Sequence, residues 1–266
     1  MRPELFQIFG VTFYAYRTLL AVAFVVCTLL AVRESKRRGD TPPLTPTLGI
    51  WALLGALLGA RIFHTLQYGR PQDWWRALIL WDGGLVFYGG LIGGVAAVAV
   101  CLRVQGVPFL RAADVMAPYV ALGEAITRAG CFLNGCCFGV SCSYPWAVQF
   151  PPGSVAYQAH LDRHWITQSD AYSLAIHPTQ LYMAGGLLAG FALLKWRLGR
   201  KSWDGSVVCD YLLSYGILRF LVEILRGDSA RSIAGMTVSQ SISVVLVAVA
   251  AGVSVYRWQA GAHANT

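Results

Sequence analysis

Long apolar runs, separated by short clusters of charged residues, dominate the pattern along this chain. Each run has about 20 residues, which is the length that a helix needs to cross roughly 30 Å of hydrocarbon. We therefore predict an all-α, polytopic membrane protein whose residues 1–266 form a single integral membrane domain. The pattern predicts seven membrane-spanning helices near residues 10–32, 46–66, 84–103, 112–134, 179–196, 205–225 and 237–256.

Composition agrees with this interpretation and limits the function classes. Apolar residues make up 56% of the chain, charged residues make up 13%, and the mean hydropathy is +0.53. No stripe of Lys and Arg with interleaved aromatic residues lies on a polar segment, so the net charge of +8 does not indicate nucleic-acid binding. The first run carries Arg17 and lacks a small-residue cleavage site, so we interpret it as a retained span and not as a signal peptide.

Basic residues are distributed unevenly between the two predicted sides of the membrane. By the positive-inside rule, the side with more of them is cytoplasmic. This places the N-terminus outside and the C-terminus inside, and it makes residues 135–178 an external loop subdomain. The more basic side comprises Arg33, Lys36, Arg37, Arg38, Arg103, Arg111, Lys195, Arg197, Arg200, Lys201 and Arg257, and the other side comprises Arg2, Arg70, Arg76, Arg163, Arg226 and Arg231.

Four arginines fall within the predicted spans, where an unpartnered charge is costly. Glu124 stands one helical turn from Arg128, and Arg219 stands one turn from Glu223, so each spacing predicts an ion pair. One possibility is that the two charges of each pair merely neutralise each other. The other is that the four arginines, which outnumber the three acids, leave a positive charge that can bind a ligand. A guanidinium group presents a planar fork of donors that suits a phosphate, which indicates an anionic phospholipid. The arginines are Arg17, Arg61, Arg128 and Arg219, and the acids at similar depth are Glu124, Asp210 and Glu223.

Four cysteines lie close together at the end of the fourth run: Cys131, Cys136, Cys137 and Cys142. A zinc site is one interpretation, although the usual Cys-x2-Cys spacing is missing. A disulfide between Cys142 and one of the other three suits an external loop. A third possibility is that Cys136 or Cys137 acts as a nucleophile activated by Arg128. The fourth is that these thiols are small apolar groups around a tight turn.

Seven segments in chain order carry a family resemblance. They are Phe13-Tyr-Ala-Tyr16, Gly59-Ala-Arg61, Gly83-Gly-Leu-Val-Phe-Tyr-Gly-Gly-Leu-Ile-Gly93, residues 123–139, Pro145-Trp-Ala-Val-Gln-Phe-Pro151, His177-Pro-Thr-Gln-Leu-Tyr182, and Tyr215-Gly-Ile-Leu-Arg-Phe-Leu-Val-Glu223 followed by Met236 and Gln240. They resemble the signature segments of the prolipoprotein diacylglyceryl transferase family. Several motifs in register are more specific than any one of them.

The resemblance implies a multi-pass enzyme of the bacterial inner membrane whose active site faces the outer side. Such an enzyme moves the diacylglyceryl group of phosphatidylglycerol onto the thiol of a lipobox cysteine in a secreted prolipoprotein and releases glycerol phosphate. Its partners are therefore phosphatidylglycerol, the prolipoprotein signal peptide and the lipid bilayer. The resemblance implies no metal ion and no cofactor.

Residue by residue, the resemblance gives Arg128 and Arg219 the role of stabilising the departing phosphate. It implies that Tyr16 and Tyr215 orient the lipid head group and that Asn134 donates a hydrogen bond to it. The tyrosines are also typical of an interfacial aromatic belt, and Asn134 with the following glycine is typical of a turn that ends the fourth span. The remaining substrate-binding positions implied by the resemblance are Arg61, Gly89, Gly90, His177, Gln180 and Glu223.

Three polar positions of the family signature differ here: Tyr88 replaces a histidine, Cys131 an asparagine and Cys136 a glutamate. We expect Tyr88 and Cys136 to be catalytic positions, but neutral tyrosine is a weaker base than imidazole. Arg128 could instead lower the pKa of the acceptor thiol, or His177 could be the base. His177 is alternatively a residue at a helix start beside a proline.

The departures leave two further functions open. A divergent relative could transfer a lipid-derived group to another acceptor through Cys136 or Cys137. A non-catalytic phospholipid-binding membrane protein could retain the arginines without a base. The persistence of Arg128 and Arg219 in their family context favours a transferase.

Overall fold

The computed structural model of the chain describes residues 4–8, 11–68, 86–229, 231–233 and 235–263. The described residues form eight helices: α1 Ala15–Arg38, α2 Thr47–Tyr68, α3 Phe87–Val104, α4 Phe109–Asn134, α5 Val155–Asp162, α6 Thr179–Leu198, α7 Ser206–Ile224 and α8 Val238–His263. They also form two antiparallel hairpins, of β1 Glu4–Ile8 with β2 Val11–Tyr14 and of β3 Arg231–Ile233 with β4 Met236–Thr237.

Each of the seven predicted apolar runs corresponds to a long helix, but two details of the prediction were wrong. The fold is not purely α, because it includes two short sheets, and the first run does not begin as a helix. Phe6 stacks on Phe13 across the first hairpin with ring centroids 4.9 Å apart, and α1 begins only at Ala15. Aromatic pairs of this kind stabilise neighbouring strands, and they do not require a long alternating pattern. Residues 83–85 of the glycine-rich motif lie outside the described residues.

The structure is that of a helical membrane protein. Among the described residues, three helices are long and apolar enough to cross a membrane: α1, α2 and residues 238–260 of α8. Residues 88–104 of α3 form a shorter apolar helix. Large apolar side chains of α1, α2 and α8 are exposed, as expected of surfaces that contact lipid tails. The crossing of all seven long helices and the orientation of the termini stay predictions.

The chain divides into two compact units. One unit comprises residues 1–27 and 117–266, and the other comprises residues 28–116. Among the predicted site residues, Arg61, Tyr88, Gly89 and Gly90 belong to the second unit. The two arginines of the predicted phosphate site and the four clustered cysteines belong to the first. The prediction of a single domain with an external subdomain at residues 135–178 is not tested by this division.

Glycines bring α2 and α3 into backbone contact within the second unit. A Cβ atom added at Gly59 would collide with the carbonyl oxygen of Gly89, and one added at Gly93 would collide with that of Gly55. Small residues at such positions let membrane helices approach closely. The close approach expected from the glycine-rich runs is confirmed. Gly89 lies in this contact, and Gly90 lies beside it against the backbone of α2.

Replacing Gly93 by alanine is expected to lower the free energy of unfolding by about 1 to 3 kcal/mol, because the added methyl group has no room and the helices must separate. Gly252 on α8 is the matched control, since a Cβ atom there meets nothing within 4 Å. Thermal unfolding of the two purified variants in detergent measures the difference. Equal stability of Gly93→Ala and Gly252→Ala would show that the α2–α3 contact is not tight.

A reciprocal pair of hydrogen bonds fixes the start of α8. The Thr237 N–H donates to Gln240 Oε1 at 3.0 Å, and the Gln240 N–H donates to Thr237 Oγ1 at 3.2 Å. This is a capping box, which satisfies two backbone donors at a helix start. Gln240, part of the final motif of the sequence, therefore serves to begin α8. The cap also fixes the position of Ser239, which contacts the functional site described next.

Candidate functional site

The first charged pair of the site lies on α4. Arg128 Nη2 donates to Glu124 Oε1 at 2.7 Å, which confirms the predicted pair. The two side chains are 16% and 21% exposed, so the pair is largely withdrawn from solvent. Arg128 Nε is buried and has no hydrogen-bond partner among the described residues. A buried donor without a partner is costly, which makes this nitrogen available to a ligand.

The second charged pair lies on α7 and is more deeply buried. Arg219 Nη2 lies 2.9 Å from Glu223 Oε2 and donates to Ser239 Oγ at 2.9 Å, and the Glu223 side chain is only 1% exposed. The charges of Arg219 and Glu223 therefore compensate each other, as predicted. Their alignment is not that of a hydrogen bond, however, because neither carboxylate oxygen of Glu223 has a hydrogen-bond partner among the residues that the structure describes. Arg219 Nη1 is likewise buried without a partner in the described part of the chain.

Tyr215 connects the two charged pairs. It lies one turn before Arg219 on α7, and its hydroxyl is within electrostatic range of both arginines and both glutamates. Helices α4 and α7 therefore bring all four charges to one region around this hydroxyl. The ring of Tyr211 lies beside that of Tyr215, with centroids 5.7 Å apart. Sequence reasoning missed Tyr211, although its spacing of four residues from Tyr215 places both on one helix face.

An apolar cleft adjoins this charged region. It lies between α4, α6 and α7, and Tyr215 belongs to both the cleft wall and the charged region. Gly190 on α6 leaves open space in the cleft, whereas the space beside Gly186 is filled by the Leu218 side chain. An amphipathic ligand with an anionic head and an apolar tail matches this combination. The cleft is lined by Ala121, Gly186, Leu187, Gly190, Leu194, Tyr211, Ser214, Tyr215 and Leu218.

Three of the four clustered cysteines meet in space. The Sγ atoms of Cys131, Cys136 and Cys137 all lie within 4.8 Å of one another, and we call this group the thiol cluster. Cys142 is not part of it; its backbone N–H donates to the carbonyl oxygen of Ala175 at 3.0 Å. All seven cysteines of the chain are free thiols, so the interpretation of a disulfide through Cys142 was wrong.

The turn that carries the thiol cluster is held by α6. Gly135 and Cys137 both have a positive φ, of 72° and 61°, so the chain reverses sharply after α4. Gln180 Nε2 donates to the carbonyl oxygen of Cys136 at 2.7 Å, and Thr179 Oγ1 donates to that of Cys137 at 2.8 Å. The turn predicted at Asn134 and Gly135 is therefore present. Asn134 is the last residue of α4, directly before this turn.

Positive charge surrounds the thiol cluster. Hydrogen bonds from the thiols of Cys131 and Cys136 hold the pKa of the Cys137 thiol below its ordinary value, and the charges of Arg226 and Arg128 act in the same direction. Arg226 is itself held in a fork by Asp228, with N–O distances of 2.6 and 3.1 Å. Sequence reasoning placed Arg226 in a loop and missed its proximity to the cysteines. No local signal indicates a contact across that many residues.

Tyr16 lies near the same cysteines. Its hydroxyl is within electrostatic range of the three sulfurs of the thiol cluster and of Arg128. A Cβ atom at Gly130 would stand 3.0 Å from the Tyr16 Cα, so the start of α1 lies against the end of α4. The structure thus brings Tyr16, Arg128 and Asn134 to one end of α4. Their substrate-binding roles stay predictions.

His177 lies in a group of aromatic side chains. Its Nδ1 atom is 3.1 Å from the Tyr182 hydroxyl, which also accepts a hydrogen bond from Trp146 Nε1 at 2.8 Å. Tyr144 stacks on Trp146 with ring centroids 4.8 Å apart. Because α6 begins two residues after His177, the interpretation as a helix-start residue is confirmed. A role as the catalytic base stays a prediction.

Two predicted site residues of the second unit have their own local contacts. Arg61 is 4% exposed on α2, and its carbonyl oxygen accepts a hydrogen bond from Thr65 Oγ1 at 3.1 Å. Tyr88 is 42% exposed, near the start of α3. Nothing in the geometry of this unit tests the catalytic role of Tyr88 or the substrate-binding role of Arg61.

Comparison with known proteins decides the family. The family model described as prolipoprotein diacylglyceryl transferase matches residues 3–256. The chain belongs to the prolipoprotein diacylglyceryl transferase family. It is 30% identical to the phosphatidylglycerol--prolipoprotein diacylglyceryl transferase of Clostridium tetani over 93% of this chain and 94% of that protein. The similarly named proteins of Synechocystis (32% identity, 92% and 85% covered) and Lactiplantibacillus plantarum (33%, 97% and 89%) are further relatives.

Family membership changes the meaning of the thiol cluster. From the resemblance of residues 123–139 to the family signature, two of its three members, Cys131 and Cys136, are expected to stand where that signature has polar side chains. The third, Cys137, joins them only because of the sharp turn that follows α4. In this member of the family, a group of three thiols lies at the end of the helix that carries Arg128.

Gln180 is expected to act by holding the turn of the thiol cluster. Its side chain is 1% exposed, and replacement by alanine leaves the Cys136 carbonyl oxygen without its partner. We expect Gln180→Ala to lower the free energy of unfolding by about 1 to 3 kcal/mol. Gln158→Ala is the matched control, because Gln158 bonds only the exposed side chain of Asp162. If chemical denaturation finds the two variants equally stable, the Gln180 bond does not stabilise the turn.

Proposed function

We propose that this protein transfers the diacylglyceryl group of phosphatidylglycerol to the thiol of a lipobox cysteine in a prolipoprotein. Relatives with this activity in their names are similar over nearly the whole chain. One structural observation carries the proposal furthest. Arg128 and Arg219 each keep a buried guanidinium nitrogen that has no partner in the described ranges, near one tyrosine hydroxyl and beside an apolar cleft.

In the proposed reaction, Arg128 Nε and Arg219 Nη1 donate to oxygens of the lipid phosphate. The acceptor thiol loses its proton to water, its sulfur attacks the glyceryl carbon that carries the phosphate, the carbon–sulfur bond forms, and the carbon–oxygen bond breaks. The electron pair of the broken bond passes to the oxygen of the departing glycerol phosphate. Guanidinium donors fixed in a site with little water stabilise this charge more than they would in water. Glu124 and Glu223 orient the two guanidinium groups.

The apolar cleft would hold the part of an acyl chain next to its ester, because the cleft volume of about 70 Å³ is smaller than that of a whole acyl chain. Its wall includes Tyr215, whose hydroxyl also lies among the four charges, so the ester region of a phospholipid would lie at this residue. Tyr215 then fixes the distance between the acyl chain and the phosphate. This is the head-group role implied for Tyr215 by the family resemblance.

We further propose that all seven long helices cross a bacterial inner membrane with the N-terminus outside and the active site toward the outer face. The excess of basic residues on the opposite set of loops supports this orientation. The C-terminal ends of α4 and α7, where the arginines lie, then face the same outer side. A secreted precursor would reach the site from that side.

The test is expression of the chain in bacteria depleted of their own transferase. A lipobox precursor is followed by mass spectrometry, and the expected result is a gain of one diacylglyceryl group. A precursor whose lipobox cysteine is replaced by serine is the control and should gain nothing. A well-expressed chain that leaves the precursor mass unchanged would contradict the proposal, and co-purified phospholipid in that case would favour a binding protein.

A further inference from the structure

The thiol cluster is a group of reactive side chains near Arg128 that the proposed transfer does not use. Its three sulfurs lie within 4.8 Å of one another. Thiolates that share one zinc ion at about 2.3 Å each stand about 3.8 Å apart in tetrahedral geometry. Small side-chain rotations would therefore convert the observed spacing into that of a metal site.

The backbone around the three sulfurs is held in place from several sides. Cys137 has a left-handed φ of 61°, a conformation that costs free energy for a residue other than glycine. Thr179 and Gln180 hold the adjacent carbonyl groups of Cys137 and Cys136. Such strain persists where the surroundings determine the conformation, and it concentrates at functional sites. Here its effect is to bring the Cys137 sulfur to the other two.

The charges nearby fit an anionic metal site. Three thiolates around a divalent cation leave a net charge of about −1. The guanidinium groups of Arg128 and Arg226 both act electrostatically on Cys137, and Arg128 also acts on Cys131. Two positively charged groups therefore lie beside a site whose net charge would be negative. Thiolate sulfur is a soft ligand, which favours zinc or copper(I) over magnesium or calcium.

We propose that Cys131, Cys136 and Cys137 bind one Zn²⁺ ion and leave its fourth position open to the sulfur of the acceptor cysteine. Within the described residues, no histidine, aspartate or glutamate joins the three thiols as a fourth ligand. Zinc sites with three protein ligands and one open position are typical of catalysis. This inference rests on the proposed function. It also explains why a tyrosine, Tyr88, could stand where the family signature has a histidine. A thiol bound to zinc needs no histidine to remove its proton.

In this step the acceptor thiol binds zinc as a thiolate, and its proton passes to water. The sulfur then forms the bond to the glyceryl carbon while the carbon–oxygen bond to phosphate breaks. The electron pair of that bond leaves with glycerol phosphate, which Arg128 and Arg219 hold. The product is a neutral thioether, a weaker ligand than a thiolate, so it leaves the zinc ion. No electron is gained or lost overall.

The first test is metal binding by the full chain purified in detergent. After addition of Zn²⁺ and removal of the excess, elemental analysis is expected to find about one zinc ion per chain. Cys131→Ser, Cys136→Ser and Cys137→Ser should each lose most of it, whereas Cys142→Ser, the control from the same segment, should keep it. Equal zinc in the wild type and in a variant lacking all three thiols would overturn the inference.

The second test examines whether the acceptor sulfur binds the open position of the metal ion. It uses the wild-type protein, so it does not depend on the folding of a variant. With Co²⁺ in place of Zn²⁺, a lipobox peptide should change the visible spectrum of the wild type, and the same peptide with serine should not. Removal of zinc by a chelator should lower transfer roughly 100-fold, and added Zn²⁺ should restore it. Full transfer by the metal-free protein would overturn the inference but leave the proposed function intact. Zinc binding without any transfer would overturn the proposed function and the acceptor role together.

Discussion

Replacing Arg219 by alanine is expected to lower diacylglyceryl transfer roughly 100- to 1,000-fold, the usual effect of losing one donor that stabilises developing charge. Arg219 provides a buried nitrogen without a partner, so its loss removes a contact that only the ligand completes. The measurement is the initial rate of mass gain by a lipobox peptide in detergent with phosphatidylglycerol. We expect the transfer rate of Arg219→Lys to lie between the rates of the wild type and of Arg219→Ala. Lysine keeps the positive charge but lacks the planar fork of donors of a guanidinium group.

The control for this prediction is Arg197→Ala. Arg197 also pairs with an acid, Asp210, at 2.9 Å, but both side chains are about one-third exposed. Loss of a partly exposed pair changes stability little, and it removes no buried donor. The phosphate role of Arg219 would be wrong if both alanine variants transferred at the wild-type rate.

Replacing Glu223 by alanine is expected to lower the free energy of unfolding by about 3 to 5 kcal/mol, because it leaves Arg219 as a buried charge without compensation. Glu223 is 3% exposed and lies 2.9 Å from Arg219. Reversible unfolding in mixed detergent micelles measures the difference. Asp162→Ala is the control, since Asp162 is exposed and bonds only the side chain of Gln158.

The double variant separates stability from activity. Removing Arg219 together with Glu223 eliminates the uncompensated charge, so we expect Glu223→Ala/Arg219→Ala to recover much of the lost stability. It should still fail to transfer the diacylglyceryl group. If Glu223→Ala is as stable as the wild type, Glu223 does not stabilise the buried charge of Arg219.

Much of the helical architecture and both charged pairs could be predicted from the sequence, because each depends on local spacing. A long apolar run specifies a helix without reference to other segments. Glu124 and Arg128 are neighbours on any helix that contains them both, as are Arg219 and Glu223. The structure confirms both pairs.

Contacts between distant segments could not be predicted in this way. Asp210 was counted as a possible partner of an intramembrane arginine, but it binds Arg197. Ser239 reaches Arg219 from another helix, and a serine carries no periodic signal. The thiol cluster depends on Gln180, which lies 44 residues beyond Cys136 and holds its carbonyl group. The sequence showed that these cysteines were close along the chain, but it did not indicate which three would meet.

Each charged pair of the site is contained within a single helix, and this has a consequence for biogenesis. Helices enter the bilayer before they assemble with one another. An isolated arginine on such a helix would oppose insertion. In the proposed topology α4 and α7 cross the membrane, and each would then carry its own counter-charge into the lipid, because Glu124 accompanies Arg128 on α4 and Glu223 accompanies Arg219 on α7. In that topology both arginines would reach membrane depth before the rest of the site exists.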